Sequence, residues 1–103
     1  MVKNYKIMDL KKLVNQPGAT IIDVREAWEF QMGHVEGSFN IPLSEVYSRM
    51  DNFKRMSEPI ILVCASGNRS GQAVAILRSQ GFENVYNGGG WQDLGYLKLK
   101  NVS

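Results

Sequence analysis

One stretch of the sequence decides the fold: Ile60-Ile61-Leu62-Val63-Cys64-Ala65-Ser66-Gly67-Asn68-Arg69-Ser70. Its first four residues are apolar and mostly β-branched, which is typical of a buried parallel strand. After it, apolar residues recur at helical spacing from Ala73 to Leu77, and Gly81 stops the helix. The pattern therefore predicts a strand, a tight loop and a helix N-terminus in direct succession.

The only cysteine of the chain, Cys64, lies at this junction. Backbone N–H groups at a helix start and the positive end of the helix dipole both favour negative charge. Gly67 permits backbone angles that turn successive N–H groups inward, toward the sulfur. We therefore expect Cys64 to be a thiolate near neutral pH, which needs no general base to act as a nucleophile.

Strand-like and helix-like segments alternate on both sides of this stretch. Strands are predicted over residues 5–8, 19–24, 38–41, 60–64 and 85–86, with helices between them. Such alternation predicts an α/β domain with a mostly parallel five-stranded sheet flanked by helices on both faces. Ligands of such sheets bind beyond the carboxyl ends of the strands, where Cys64, Asp23 and Arg25 all lie.

Length and composition limit the classes of protein to consider. A chain of 103 residues predicts a single domain over residues 1–103. A net charge of +2 with scattered basic residues does not favour nucleic acid, and no apolar run approaches membrane-spanning length. With one cysteine, one histidine and no signal peptide, we expect a cytoplasmic protein without a disulfide, metal or cofactor.

Three motifs cover nearly the whole chain in a fixed order. The first comprises Asp23-Val24-Arg25-Glu26, Trp28-Glu29-Phe30 and Gly33-His34-Val35-Glu36-Gly37-Ser38-Phe39-Asn40-Ile41-Pro42. The second is the loop from Cys64 to Ser70, called the cysteine loop below, and the third is Val85-Tyr86-Asn87-Gly88-Gly89-Gly90. Together they resemble the rhodanese-like domain family, which is dominated by sulfurtransferases. One departure is that Leu94 stands where the family often has tryptophan, and Trp91 comes earlier.

This resemblance implies a thiosulfate sulfurtransferase (rhodanese) that works through a persulfide on Cys64. Relatives that act on phosphate or arsenate have five residues between cysteine and arginine, whereas this chain has four, Ala65 to Asn68. A smaller ring of N–H groups suits a terminal sulfur better than a tetrahedral oxyanion. The expected donor is thiosulfate or a persulfide, and the expected acceptor is a thiophilic small molecule.

The predicted site consists of the cysteine loop and a supporting pair. Cys64 is the predicted nucleophile, and Arg69 is predicted to hold the oxygens of an anionic donor through its fixed fork of N–H groups. Asp23 and Arg25 are predicted to support the site edge, with a structural ion pair favoured over ligand contact. The predicted substrate-binding residues are Ala65, Ser66, Gly67, Asn68 and Ser70, with Ser70 also a candidate helix cap.

Two other functions and two structural alternatives stay open. A sulfur-relay protein would also use a Cys64 persulfide but would pass the sulfur to a protein acceptor. A phosphatase or arsenate reductase is disfavoured by the loop length. His34 lies in a glycine-flanked segment, which favours a structural hydrogen bond over acid–base chemistry. The run Gly88-Gly89-Gly90 lacks the lysine of a phosphate-binding loop and is predicted to be a tight turn near the pocket.

Overall fold

Strand β3, Ile60–Cys64, forms in the computed structural model as the sequence predicts. The structure describes residues 7–99. In chain order the elements are α1 (Ile7–Val14), β1 (Thr20–Asp23), α2 (Ala27–Met32), β2 (Phe39–Asn40), 3₁₀ turns at Leu43–Glu45 and Tyr47–Arg49, α3 (Met50–Lys54), β3, α4 (Asn68–Ser79), β4 (Val85–Gly90) and α5 (Trp91–Leu97).

The sheet is parallel throughout the described residues. Its strand order is β2-β1-β3-β4, so β3 has a neighbour on each side. In the register of β1 against β3, Asp23 pairs with Val63, and Cys64 is paired with Gly90 of β4. The carboxyl ends of these strands therefore meet at one edge of the sheet, as expected for a parallel arrangement.

Helices cover both faces of the sheet. Ile60, Leu62 and Cys64 point to one face, where they pack in a cluster that includes Ala73 and Leu77 of α4. Ile61 and Val63 point to the other face, where the cluster includes Val14 of α1 and Leu94 of α5. All five residues of β3 are buried, because alternate side chains enter two separate cores.

The described residues form four strands, not the five that were predicted. The predicted strand over residues 5–8 is wrong at its second half, because Ile7 and Met8 belong to α1, and residues 5 and 6 lie outside the described residues. Leu13 and Val14 pack with the second core cluster, which fixes the end of this helix. Adding residues to an existing helix needs no new nucleus, so the helix extends back toward residue 7.

The glycine run also differs from its prediction, because it is a strand segment and not a tight turn. Strand β4 continues to Gly90, and its register against β3 shifts between Leu62 and Val63. Leu62 pairs with Asn87 and Val63 with Gly89, so Gly88 is the extra residue of a β-bulge. A Cβ at Gly88 would lie 2.7 Å from Cγ2 of Ile61 and 3.2 Å from the Leu62 carbonyl oxygen, so any side chain there forces β3 or β4 to shift.

We expect Gly88→Ala to destabilise the protein by about 1–3 kcal/mol, because the added methyl group overpacks the core against β3. Gly95→Ala in α5 is the matched control, since a Cβ there meets only Cγ2 of Val35 at 4.0 Å. Alanine is favoured over glycine inside a helix, so this control should retain or gain stability. Urea unfolding measures both variants, and equal stability of the two would contradict the packing argument.

Candidate functional site

The Cys64 sulfur is held from the start of α4. The backbone N–H of Gly67 donates to Sγ at 3.0 Å, and the Ser70 hydroxyl oxygen lies 3.4 Å from Sγ. Gly67 is the N-cap residue of α4 and has a φ of +98°, the left-handed region that glycine adopts at little cost. Cys64 is 1% exposed, so its sulfur lies at the base of the loop and not on its rim.

Opposing effects act on the ionisation of Cys64. Burial raises the pKa of the thiol, because the charged form loses solvation. Hydrogen bonds from the Ser70 hydroxyl and from the backbone N–H groups of Ser70, Ser66 and Gly67 lower it. The hydrogen bonds prevail, so the pKa of Cys64 lies below its ordinary value. The arrangement therefore favours the thiolate, the nucleophilic form of cysteine.

Asn87 of β4 ties the cysteine loop to the sheet. Its Nδ2 donates to the Gly67 carbonyl at 3.0 Å, and its Oδ1 accepts from the Gly89 N–H at 2.9 Å. Oδ1 also lies 2.7 Å from the Ser70 hydroxyl oxygen. The sequence prediction did not include Asn87. Its position directly after the predicted strand over residues 85–86, before the glycine run, was the available signal.

Arg69 is paired with a carboxylate that the sequence prediction did not assign to the site. Its two terminal nitrogens donate to the two carboxylate oxygens of Glu29 in α2, at 2.7 and 3.1 Å. Glu29 also accepts from the backbone N–H of Glu26 at 3.0 Å, in a capping box at the start of α2. The Arg69 side chain is 33% exposed and that of Glu29 is 18% exposed.

This ion pair shifts both of its partners. The hydrogen bond from Arg69, helped by that from Glu26, lowers the pKa of Glu29 from 4.5 to about 2. The hydrogen bond to Glu29 raises the pKa of Arg69 in turn. Glu29 therefore stays ionised at neutral pH and compensates the charge of Arg69 beside the cysteine loop.

Asp23 and Arg25 form a buried ion pair at the same sheet edge. Both nitrogens Nε and Nη2 of Arg25 contact the Asp23 carboxylate, with the shortest distance 2.8 Å. Nη2 of Arg25 also donates to the Gly33 carbonyl at 2.7 Å, and its guanidinium lies 4.7 Å from the ring centre of Trp91. The Asn40 amide donates to the carbonyls of both members of the pair. This network joins β1, β2 and α5.

The remaining residues of the predicted site divide by burial. Ala65, Ser66 and Asn68 are exposed at the rim of the cysteine loop. Ser70 is fully buried within α4 and is not the helix cap that the sequence suggested, since Gly67 takes that position. His34 is exposed, stacks on Phe30 and contacts the Phe30 carbonyl through Nδ1 at 2.7 Å.

A separate cavity of about 750 Å³ lies between the 34–37 segment and α5. None of the cysteine-loop residues lines it. Within residues 7–99, no group of three or more His, Cys, Asp or Glu side chains is placed to hold a metal ion. No helix in that part of the chain is long and apolar enough to cross a membrane. The cysteine loop is therefore the candidate site that the sequence and the structure share.

Comparison with known families decides the classification. Residues 7–94 match the family model described as rhodanese-like domain. The chain belongs to the rhodanese-like domain family. It is 39% identical over 80 residues to the thiosulfate sulfurtransferase PspE of Escherichia coli, covering 77% of each chain. The prediction of a rhodanese-type sulfurtransferase is confirmed by this family match and by the similarity to PspE.

Other relatives carry the same domain in longer chains. The uncharacterized protein YqhL of Bacillus subtilis is 44% identical over 69 residues, which are 67% of this chain and 54% of YqhL. YrkF of the same organism, provisionally named a sulfur carrier protein, is 36% identical over 75% of this chain and 41% of its own. The chain thus spans about half the length of these two relatives or less.

Solved structures agree with the fold. A rhodanese with anions from Escherichia coli superposes with a TM-score of 0.67 at 38% identity, over 73% of this chain and 89% of that one. A rhodanese-related protein from Thermoplasma volcanium gives a TM-score of 0.71 at 32% identity, over 90% of both chains. The α/β fold with a parallel sheet and flanking helices is therefore that of the family.

The Glu29–Arg69 pair should make stability depend on pH. Because folding lowers the pKa of Glu29, its contribution is complete above about 4.5 and is lost as the pH falls toward about 2. Glu29→Gln should therefore destabilise the protein at pH 7 and much less at pH 2.5. Urea unfolding at both pH values measures the difference.

Glu45→Gln is the control for this experiment, since Glu45 forms an exposed pair with Arg49 at 3.2 Å. Exposed pairs contribute about 0–1 kcal/mol, so this substitution should have a small effect at either pH. A destabilisation by Glu29→Gln that stays constant from pH 7 to pH 2.5 would contradict the assigned ionisation.

Proposed function

We propose that this domain transfers a sulfane sulfur from thiosulfate or a persulfide donor to a thiophilic acceptor through a persulfide on Cys64. The observation that carries the proposal is the hydrogen bond from the Gly67 N–H to Sγ at 3.0 Å, at the N-terminus of α4. This contact favours a thiolate at the reacting atom itself. The names of PspE and of the rhodanese from Escherichia coli support the same chemistry.

In the first half-reaction, the Cys64 thiolate attacks the outer sulfur of thiosulfate. A Cys64–sulfur bond forms, the sulfur–sulfur bond of the donor breaks, and sulfite leaves with its electron pair. The product is a persulfide on Cys64. Because Cys64 is 1% exposed, the donor must present a small terminal sulfur that enters the cysteine loop.

In the second half-reaction, an acceptor such as cyanide attacks the outer sulfur of the persulfide. The bond between the two sulfurs breaks, its electron pair returns to Sγ, and thiocyanate leaves. The N–H of Gly67 that held the first thiolate again faces the charge that develops on Sγ. One set of donors thus serves both steps, and ping-pong kinetics should follow.

Arg69 is proposed to act on the oxygens of the donor. The pair with Glu29 uses Nη1 and Nη2 and leaves Nε outside the contact. Neutralisation by Glu29 reduces the attraction of Arg69 for a doubly charged donor, and it also fixes the guanidinium beside the loop. The predicted role in catalysis therefore becomes positioning of the sulfonate group, with Glu29 setting how strongly Arg69 attracts it.

A sulfur relay to a protein acceptor is the second candidate function. One observation favours it: Trp28 and Met32 of α2, the helix that supplies Glu29, are 68% and 84% exposed. Large exposed apolar side chains on the helix that contacts Arg69 are suited to contact with another protein. Phosphate or arsenate chemistry is less well supported, because only four residues, Ala65 to Asn68, separate Cys64 from Arg69, one fewer than in the relatives that act on those oxyanions.

Intact-mass spectrometry tests the core of the proposal. We expect incubation with thiosulfate to add one sulfur atom to the protein, and cyanide to remove it, because Cys64 cycles between thiolate and persulfide. Cys64→Ala should show neither change. Absence of an adduct with thiosulfate and also with an alkyl persulfide would refute the proposed function. Fast transfer to a protein acceptor with slow cyanide turnover would favour the relay.

Arg69→Ala should lower kcat/KM for thiosulfate by roughly 10- to 100-fold, the effect of losing a hydrogen bond to a charged group. An alkyl persulfide lacks the sulfonate oxygens, so its kcat/KM should change much less. Arg49→Ala is the control, since Arg49 also pairs with a glutamate but lies outside the cysteine loop. Equal losses with both donors in Arg69→Ala would exclude a role in binding the oxygens.

A further inference from the structure

The Ser70 hydroxyl lies between two acceptors and has one proton to donate. Its oxygen is 2.7 Å from Oδ1 of Asn87 and 3.4 Å from Sγ of Cys64. A hydroxyl donates one hydrogen bond at a time, so it cannot serve both acceptors fully. Ser70 is completely buried, which leaves it little access to water as a substitute donor.

The orientation of the Asn87 side chain is fixed by backbone groups on both sides. Nδ2 faces the Gly67 carbonyl at 3.0 Å, which only an N–H can satisfy. Oδ1 faces the Gly89 N–H at 2.9 Å, which only an oxygen can satisfy. Exchange of the amide oxygen and nitrogen would break both contacts. The oxygen of Asn87 is therefore a permanent acceptor beside the Ser70 hydroxyl.

We propose that Asn87 is a positioning residue that competes with Cys64 for the proton of the Ser70 hydroxyl. When the sulfur is neutral, the hydroxyl donates to Oδ1 of Asn87 at the shorter distance. When negative charge develops on Sγ, the hydroxyl rotates and donates to the sulfur. Because of Asn87, the Ser70 hydroxyl thus donates its hydrogen bond to Sγ mainly when the sulfur is charged.

This competition has a consequence for sulfur transfer, which rests on the proposed function. As the acceptor removes the outer sulfur, the bond to Sγ breaks and its electron pair stays on Sγ. The Ser70 proton then turns from Asn87 to Sγ without being transferred, and stabilises the leaving thiolate. Because Asn87 opposes this rotation, it keeps the resting thiolate more basic and more nucleophilic than the loop alone would make it.

The pKa of Cys64 gives a direct test that needs no sulfur donor. The rate of alkylation by iodoacetamide is measured against pH in the reduced protein, where Cys64 is the only cysteine. The proteins compared are the native chain, Ser70→Ala, Asn87→Ala and the double variant. Effects of Asn87 on the loop backbone occur whether position 70 holds serine or alanine, so they cancel in this cycle.

We expect Asn87→Ala to lower the pKa of Cys64 by about 0.5–1 unit more with Ser70 present than in the Ser70→Ala background, because Ser70 is released to the sulfur. Asn87→Asp makes the oxygen that faces Ser70 a stronger acceptor, and it also loses the donor to the Gly67 carbonyl, a loss that occurs in both backgrounds and cancels in the cycle. It should raise the pKa more with Ser70 present than in the Ser70→Ala background, so the two substitutions should give couplings of opposite sign. If Asn87→Ala does not fold, Asn87→Asp still measures the coupling between positions 70 and 87.

Equal pKa shifts with Ser70 and in the Ser70→Ala background would overturn the inference and leave Asn87 as a brace of the loop. The failure of this inference is distinguishable from failure of the proposed function. If Ser70 and Asn87 show no coupling but Cys64 still forms a persulfide, only the proposed role of Asn87 is refuted. A missing persulfide removes the transfer step, while the coupling in the reduced protein remains measurable.

Discussion

The site depends on the close approach of two backbones, at Gly67 and Gly89. A Cβ on Gly67 would lie 3.2 Å from Cα of Gly89, and Gly67 also has a left-handed backbone conformation. Only glycine meets both conditions without displacing β4. The turn at Gly67 directs its N–H to the sulfur and its carbonyl to Asn87. The position of α4, the hydrogen bond to Cys64 and the attachment of the loop to the sheet all follow from this contact.

The electrostatics of the site are set by dipoles more than by cations. Arg25 and Arg69, the arginines at the sheet edge, already have carboxylate partners in Asp23 and Glu29. The groups within hydrogen-bond reach of the sulfur include the Gly67 N–H and the Ser70 hydroxyl. A thiolate held by oriented N–H and O–H groups needs no ion pair, so the arginines remain available to fix neighbouring elements. Burial alone would disfavour the anion, and these dipoles reverse the balance.

Local patterns in the sequence predicted most of the fold and the centre of the site. The strand Ile60–Cys64 follows from its apolar run, and the end of α4 follows from Gly81, which has a φ of +96°. The partners of the loop could not be predicted this way. Glu29 lies 40 positions from Arg69, and Asn87 lies 20 positions from Gly67, so their contacts depend on how distant helices and strands pack together. The prediction for the glycine run was wrong because a bulge against β3 is a property of two strands.

The place of Cys64 on β3 determines which molecule would have to move during the proposed sulfur transfer. β3 is paired on both sides and buried on both faces, so the thiol has no freedom to swing toward solvent. A sulfur bonded to Sγ would extend about 2 Å farther from the strand, the length of a sulfur–sulfur bond. Within the domain, the proposed transfer therefore needs only this added sulfur and the rotation of the Ser70 hydroxyl. In a transfer to another protein, the partner would have to bring its reacting sulfur to Cys64. That sulfur would need to lie on a flexible segment narrow enough to enter the cysteine loop.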